Sequence, residues 1–233
     1  YVTVLETYWQ QALRSAGYAA LATLFALLIG FPLAYFIGIT LRPFPLLQSL
    51  ALVLVIAPFF ISFLLRTLAW KQIFSVEGPV AGILSSLGAL PPGVSITGTT
   101  FSVVFGLTYN FIPFMVLPIY ATLVSLDLRL LEASNDLYGS PATTFRTVTL
   151  PLSAAGVMSG TLLTFIPAAG DYINASREFL GSTDTTMIGN VIEANFLVLQ
   201  NFPAAAALSL ILMAFILVLV SAYVKRSGTE DLL

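Results

Sequence analysis

Residues 16–41 carry no charge at all. A hydrocarbon core of about 30 Å takes roughly 20 helical residues to cross. Within it, only a helix or a closed barrel satisfies every backbone N–H and C=O. That run commits the chain to a bilayer. Four further apolar runs, residues 46–65, 100–126, 152–169 and 204–224, repeat the constraint. The expected fold is all-α and polytopic: one transmembrane domain over residues 1–233 with five spans. Composition agrees, since 9% of residues are charged and 58% hydrophobic, whereas a soluble domain carries about 25% charged residues.

The same composition excludes whole classes of function. Cysteine and histidine are both absent, which removes disulfides, thiolate chemistry, haem and zinc ligation and any mechanism with a histidine base. No G-x-x-x-x-G-K-[ST] occurs, so the chain has no P-loop for ATP. A net charge of −2 offers no basic field for nucleic acid.

The segments between the runs have their own chemistry. Residues 1–14 bring Tyr8, Trp9 and Arg14 together, and aromatic rings gather at membrane interfaces; this reads as a pre-membrane linker or short surface helix. Pro32 and Pro58 are expected kinks. Arg66, at the end of the second run, reads as a snorkelling side chain. Residues 76–99 are a Gly/Pro/Ser-rich loop with a short apolar helix at 80–87. The third run is interrupted by Tyr109, Asn110, Pro113 and Pro118; such groups inside a span face protein or a wet path, because lipid cannot satisfy them. Residues 184–199 show helical spacing, with Thr183 or Asp184 as cap, and are expected to lie at an interface or fold back between spans. Five spans place Arg42, Arg129, Arg146, Lys225 and Arg226 on one side, and Arg14, Arg66, Lys71 and Arg177 on the other. Five against four barely orients the chain.

A polar, turn-containing interval lies between two runs at residues 132–151, EASNDLYGSPATTFRTVTLP. Residues 127–138 read as a short helix with an apolar side at Leu128, Leu131 and Leu137. Gly139 suits the left-handed residue that ends a helix. Ser140 is a favoured N-cap and Pro141 fits the first turn after it. Pro151 disfavours helix at Leu150 and is expected to close the unit. The product is helix, turn, helix, longer than a simple re-entry loop requires.

These residues carry a resemblance. Glu132-Ala133-Ser134 followed by Val148-x-Leu150-Pro151 resembles the EAA loop of permease subunits of ABC importers, whose usual form is E-A-A, three residues, Gly, nine residues, I-x-L-P. Ser134 stands in place of the second Ala, and Tyr138 in place of the Gly, with Gly139 one residue late. The longer runs FPLAYF (31–36), PFFISFLLRTLAW (58–70), FIPFMVLPIYATL (111–123), SPATTFRTVTLPLSAAG (140–156) and MIGNVIEANF (187–196) resemble the first permease of spermidine/putrescine importers, over nearly the whole chain. The resemblance implies a type I ABC importer permease fold, with a sixth, amino-terminal span expected to be missing here. It also implies a polyamine as substrate and residence in the bacterial cytoplasmic (inner) membrane.

It further implies coupling rather than catalysis. Residues 127–151 would form the cytoplasmic loop that docks on a separate ATPase, present in two copies, which binds the ATP and Mg. The permease itself holds no cofactor or metal. A second permease subunit, as a heterodimer, and an extracytoplasmic substrate-binding protein complete the expected assembly. Glu132, Ala133, Asp136, Gly139, Ser140, Arg146 and Pro151 are the coupling candidates, with Asp136 and Arg146 securing the loop by pairing with each other or with the partner. Asp171, Tyr172, Tyr109, Asn110 and Glu193 are the candidates for the substrate path. Asp171 admits two readings: an acid that welcomes a cationic amine, or a helix-end acid or partner of Arg177. Two other functions compete. One is the same architecture importing an opine or a sugar. The other is a stand-alone secondary carrier, which predicts internal repeats or buried ionic pairs along the spans. No catalytic cluster for a membrane enzyme emerges.

Overall fold

The computed structural model describes residues 2–91, 93–136 and 140–226. Every regular element among them is helical. Helix α1 (Val2–Tyr35) runs straight from the aromatic amino-terminal segment into the first apolar run. The expected linker is therefore part of one helix, about 50 Å long at 1.5 Å per residue, with turns to spare beyond the hydrocarbon core. It ends in a π-helical turn, Phe36–Thr40, closed by Leu41 N–H donating to the Phe36 carbonyl.

Helix α2 (Pro45–Ile56) starts with proline at its first position, where no N–H is needed. Pro58 then does more than kink the second run. It lies in a 3-10 turn, Ala57–Phe60, which breaks the helix before α3 (Phe63–Phe74) and α4 (Pro79–Ser86). Helix α4 matches the expected short apolar helix at 80–87. Helix α5 (Thr100–Val124) passes through Pro113 and Pro118 without a break. The two short helices that follow are α6 (Leu128–Asp136) and α7 (Pro141–Thr144). A π-helical turn, Phe145–Thr149, and α8 (Leu150–Leu152) lead into α9 (Ala154–Ala169) at a bend of 64°.

Pro151 thus lies inside helix, and the break falls two residues later, at Ser153. A proline ring clashes with the carbonyl four residues back. A π-turn, Phe145–Thr149, comes just before it, and the chain stays helical through Leu152. The expected helix at 184–199 starts later and in pieces: a 3-10 turn Thr183–Thr185, then α10 (Ile188–Glu193), then a π-turn Ala194–Val198. Its start is set by Asn190, whose Oδ1 accepts from the Met187 N–H at 3.1 Å. Helix α11 (Phe202–Arg226) completes the fold. Three helical stretches, Glu6–Thr40, Thr100–Val124 and Phe202–Lys225, are each long and apolar enough to cross a membrane; counting each bent pair as one span gives five. The protein is an integral membrane protein.

The contacts sort into two compact units. One comprises Tyr1–Leu24, Ile61–Asn110 and Phe165–Leu233; the other comprises Phe25–Phe60 and Phe111–Thr164. The core of the second is built from Ala26, Phe31 and Ala34 on α1 with Met115, Val116, Ile119 and Leu123 on α5. Gly156 and Gly160 let α9 lie against the α5 backbone, since a Cβ at Gly160 would stand 3.0 Å from the Met115 carbonyl. This contact supports α5 around its prolines, together with Thr122, whose hydroxyl donates to the Pro118 carbonyl at 3.0 Å. The first unit has an aromatic core around Phe74, Ile96 and Leu180, with Trp70 and Phe105 packed on it.

Candidate functional site

Two groups of side chains carry the functional candidates, one in each unit. In the unit that contains Phe111–Thr164, the polar stretch folds as the local chemistry dictates. Ser140 caps α7, its Oγ accepting from the Thr143 N–H at 3.2 Å, and Pro141 occupies the first helical position. Asp127 starts α6 in the same way, its Oδ1 accepting from the Arg129 N–H at 3.0 Å. Glu132, Ala133 and Asp136 are exposed on α6, and Ser140, Arg146 and Pro151 are exposed further on. Gly139 lies outside the described residues.

Among the described residues Asp136 and Arg146 form no ion pair with each other. The two helices are joined instead by hydroxyls: Ser134 Oγ and Thr144 Oγ1 share a hydrogen bond of 2.8 Å. The Phe145 ring meets Phe31 edge-on at 5.5 Å and Tyr35 at 6.1 Å. Arg42 donates to the Leu126 carbonyl at 2.9 Å, tying the end of α1 to the end of α5. Sequence reasoning named neither Thr144 nor Phe145 as a site residue.

The other unit holds a buried polar chain. Asp171 follows α9 and is 7% exposed. Its Oδ1 accepts from the Asn174 N–H at 2.8 Å and its Oδ2 from Asn174 Nδ2 at 3.1 Å. Asn174 Oδ1 accepts from Asn110 Nδ2 at 3.2 Å, and the same nitrogen lies 3.2 Å from Thr67 Oγ1, which in turn donates to the Phe63 carbonyl. Asn110, Asn174 and Thr67 are all buried. Gly106 makes room for the centre of this chain, because a Cβ there would stand 2.5 Å from Asn174 Oδ1. Burial pushes the Asp171 carboxyl up to about 6, and the hydrogen bonds from Asn174 and the backbone N–H groups of Ala175 and Ile173 pull against that shift.

Of the five path candidates, the structure brings Asp171 and Asn110 together through Asn174. It leaves the other three outside that chain. Tyr109 packs against Trp70 at 5.2 Å and Phe105 at 6.4 Å. Tyr172 is 46% exposed, and its carbonyl accepts from Asn190 Nδ2. Glu193 is half-buried at the end of α10, and burial together with the Glu178 carboxylate holds it above its ordinary value. Asp171 is not the partner of Arg177, whose side chain is exposed; its carboxylate is spent on the turn that follows it. Arg66 does not snorkel. It is 7% exposed, with its guanidinium 5.7 Å from the Phe63 ring. Its Nε and Nη1 are buried without an acceptor among the described residues.

No protein-family model matches the chain. Individual relatives do. The chain is 34% identical to the spermidine/putrescine transport system permease protein PotB of Haemophilus influenzae over 220 residues, covering 94% of this chain and 75% of that protein. Against PotB of Escherichia coli the identity is 35% over 205 residues, 88% of this chain and 73% of the relative. The inner membrane ABC transporter permease protein YdcU of Escherichia coli is 31% identical over 95% of this chain and 72% of its own. Among solved structures, a chain of the MetNI methionine ABC transporter in an inward-facing conformation superposes with a TM-score of 0.72 at 17% identity, covering 94% of both chains. A chain of a bacterial ABC transporter that imports the acidic polysaccharide alginate gives 0.68 at 16% identity, over 98% of this chain and 83% of the other. These likenesses place the fold among ABC transporter permeases. The identity to PotB, over most of both chains, settles the rest: the chain belongs to the family of spermidine/putrescine transport system permease proteins.

Proposed function

We propose that the chain is a permease subunit of an ATP-driven polyamine importer in the bacterial cytoplasmic membrane. The observation that carries the reading is the match to spermidine/putrescine permeases over 94% of the chain. The exposed face of α6 gives that match a mechanical part. Glu132 and Ala133 lie in the open on a structured helix pair, where a soluble subunit can meet them, and Glu132 offers a carboxylate for polar contact while Ala133 permits close approach. Asp136, Gly139, Ser140, Arg146 and Pro151 complete the docking element. ATP and Mg are bound by that partner, an ATPase present in two copies. A second, non-identical permease subunit forms the other half of the path, and an extracytoplasmic binding protein delivers the substrate. The chain itself transmits a two-state movement and performs no chemistry. Asp171 and Asn110 contribute to the path, with Tyr109 and Tyr172 next to them in sequence and, like Glu193, outside their hydrogen-bonded chain.

The test is the complex of both permeases, the ATPase and the binding protein, reconstituted in proteoliposomes. ATP hydrolysis and uptake are measured over a panel of polyamines, opines, sugars and amino acids, with Glu132→Lys in parallel. Stimulation by spermidine or putrescine, lost in the variant together with ATPase association, is the expected result. Stimulation by a sugar or an opine alone would keep the importer and discard the polyamine. Full coupling in Glu132→Lys would remove Glu132 from the docking contact.

A further inference from the structure

The helix pair α6 and α7 is nine and four residues long, well short of what holds a helix in isolation. Tertiary contacts must fix it, and three within one unit contribute, one between the two helices and two to α1. The Ser134–Thr144 hydrogen bond of 2.8 Å joins α6 to α7, and Thr144 is 8% exposed. Alanine, the residue that the E-A-A pattern puts in place of Ser134, has no oxygen for this bond. The second and third contacts are the Phe145 ring pairs with Phe31 and Tyr35, with interplanar angles of 83° and 73°. Edge-to-face geometry aligns the positive ring edge with the negative ring face, so these pairs fix an orientation as well as a distance.

Phe31 is not a surface perch. It is buried in the cluster that contains Met115, Ile119 and Leu123 of α5. Phe145 therefore connects the polar stretch to the packed interior of its unit. Both sides of the contact are marked by the same irregularity. Phe145 opens the π-turn Phe145–Thr149, and Tyr35 directly precedes the π-turn Phe36–Thr40. Single π-turns interrupt the regular ladder and concentrate at functional positions. Two of them at one contact place deformable backbone on either side of an aromatic joint between the exposed Phe145 and the buried Phe31.

We infer that Phe145 is the positioning residue through which the α6–α7 pair moves α1, and that the Ser134–Thr144 bond makes the pair move as one body. The inference rests on the coupling role proposed above and adds the point at which the stroke enters the membrane helices. Displacement of α6 by a docked partner pushes on α7 through the hydroxyl bond, and α7 carries Phe145 against Phe31 and Tyr35.

The same reconstituted complex tests it. In Phe145→Ala the ATPase subunit still co-purifies and ATP is still hydrolysed. Substrate moved per ATP falls by roughly five- to hundredfold, the span of ordinary coupling between two sites. Phe145→Tyr, which keeps the ring edge, restores the ratio. Should Phe145→Ala fail to accumulate, Phe145→Leu, which keeps bulk without a ring, takes its place. The chain has no cysteine, so the pair Ser134→Cys/Thr144→Cys, oxidised with cysteine-free partners, asks whether α6 and α7 move together; transport that survives the disulfide is expected. An unchanged ratio in Phe145→Ala, or transport blocked by the disulfide and restored by reduction, would overturn the inference. Failure of the docking reading looks different: Glu132→Lys would then leave ATPase association intact, whatever Phe145→Ala does.

Discussion

Asp171 shows how a single residue inherits its properties from its surroundings. A carboxylate with two hydrogen bonds from Asn174 should be an easy anion, yet burial outweighs those bonds and its pKa rises from 3.8 to about 6. Between these values the folded chain holds a proton that the unfolded chain has released. Stability is therefore fully present below about pH 4 and is lost as pH rises through about 6, a swing on the order of 3 kcal/mol. Thermal unfolding of the detergent-solubilised protein between pH 4 and 8 should show this fall, and Asp171→Asn should flatten it; a profile that is equally steep in the variant would assign the effect to another group. Arg66 is the opposite case, a buried charge whose guanidinium lies 5.7 Å from the Phe63 ring, an interaction of about 0.5–2 kcal/mol. Asp171 and Asn110 were legible in the sequence as polar groups in apolar surroundings. Asn174 and Thr67 were not, because a neutral amide or hydroxyl gives no signal until its neighbours are known; the Asp171-x-x-Asn174 spacing of a side-chain-capped turn was the one available cue.

At the level of elements, caps and prolines were readable and their consequences were only partly so. Ser140 and Pro141 start α7 as the local rules require. Pro58 and Pro151 each interrupt a helix in the sequence reading. In the structure one sits in a 3-10 turn that ends its helix, and the other in helix behind a π-turn. A proline alone does not encode which of the two follows. The approach of α9 to α5 is likewise a property of two elements. A Cβ at Gly156 would collide with Thr122 Oγ1 and stand 2.8 Å from the Pro118 carbonyl, and backbone does not yield as a side chain does. Gly156→Ala is expected to cost about 1–3 kcal/mol, as overpacking does, visible as a lower unfolding midpoint in detergent. Gly17→Ala, at a position with nothing within 4 Å of the new Cβ, is expected to leave the midpoint where it is or raise it slightly.

For the whole molecule, the order of spans fixes sidedness. One bent span, Pro141–Leu152 with Ala154–Ala169, separates α6 from the turn at Thr183–Thr185. Single cysteines at Ala133 and at Asp184, both exposed positions, should therefore react with a membrane-impermeant thiol reagent from opposite faces. Labelling of both from one face would mean that the bent pair re-enters without crossing, and the five-span reading would fall to fewer. Only 11% of the α11 window is buried, so that helix meets lipid or another subunit along most of its length. Extraction into a detergent with short chains should accordingly destabilise the isolated chain more than the assembled complex.

The apolar runs by themselves determined that the chain lives in a bilayer and is helical there, because unsatisfied backbone groups have no alternative in hydrocarbon. The polar interval at 132–151 was equally plain, since charges and turn residues between two apolar runs can only be solvated or bound. What the tertiary structure decided was which polar groups were paired and which way the chain turned after each proline. Arg66 turned inward instead of snorkelling, Asp171 joined Asn110 through Asn174, and Phe145 found Phe31. The last two depend on residues distant in sequence arriving at one place. Periodicity and propensity are local, and they carry no term for such arrivals.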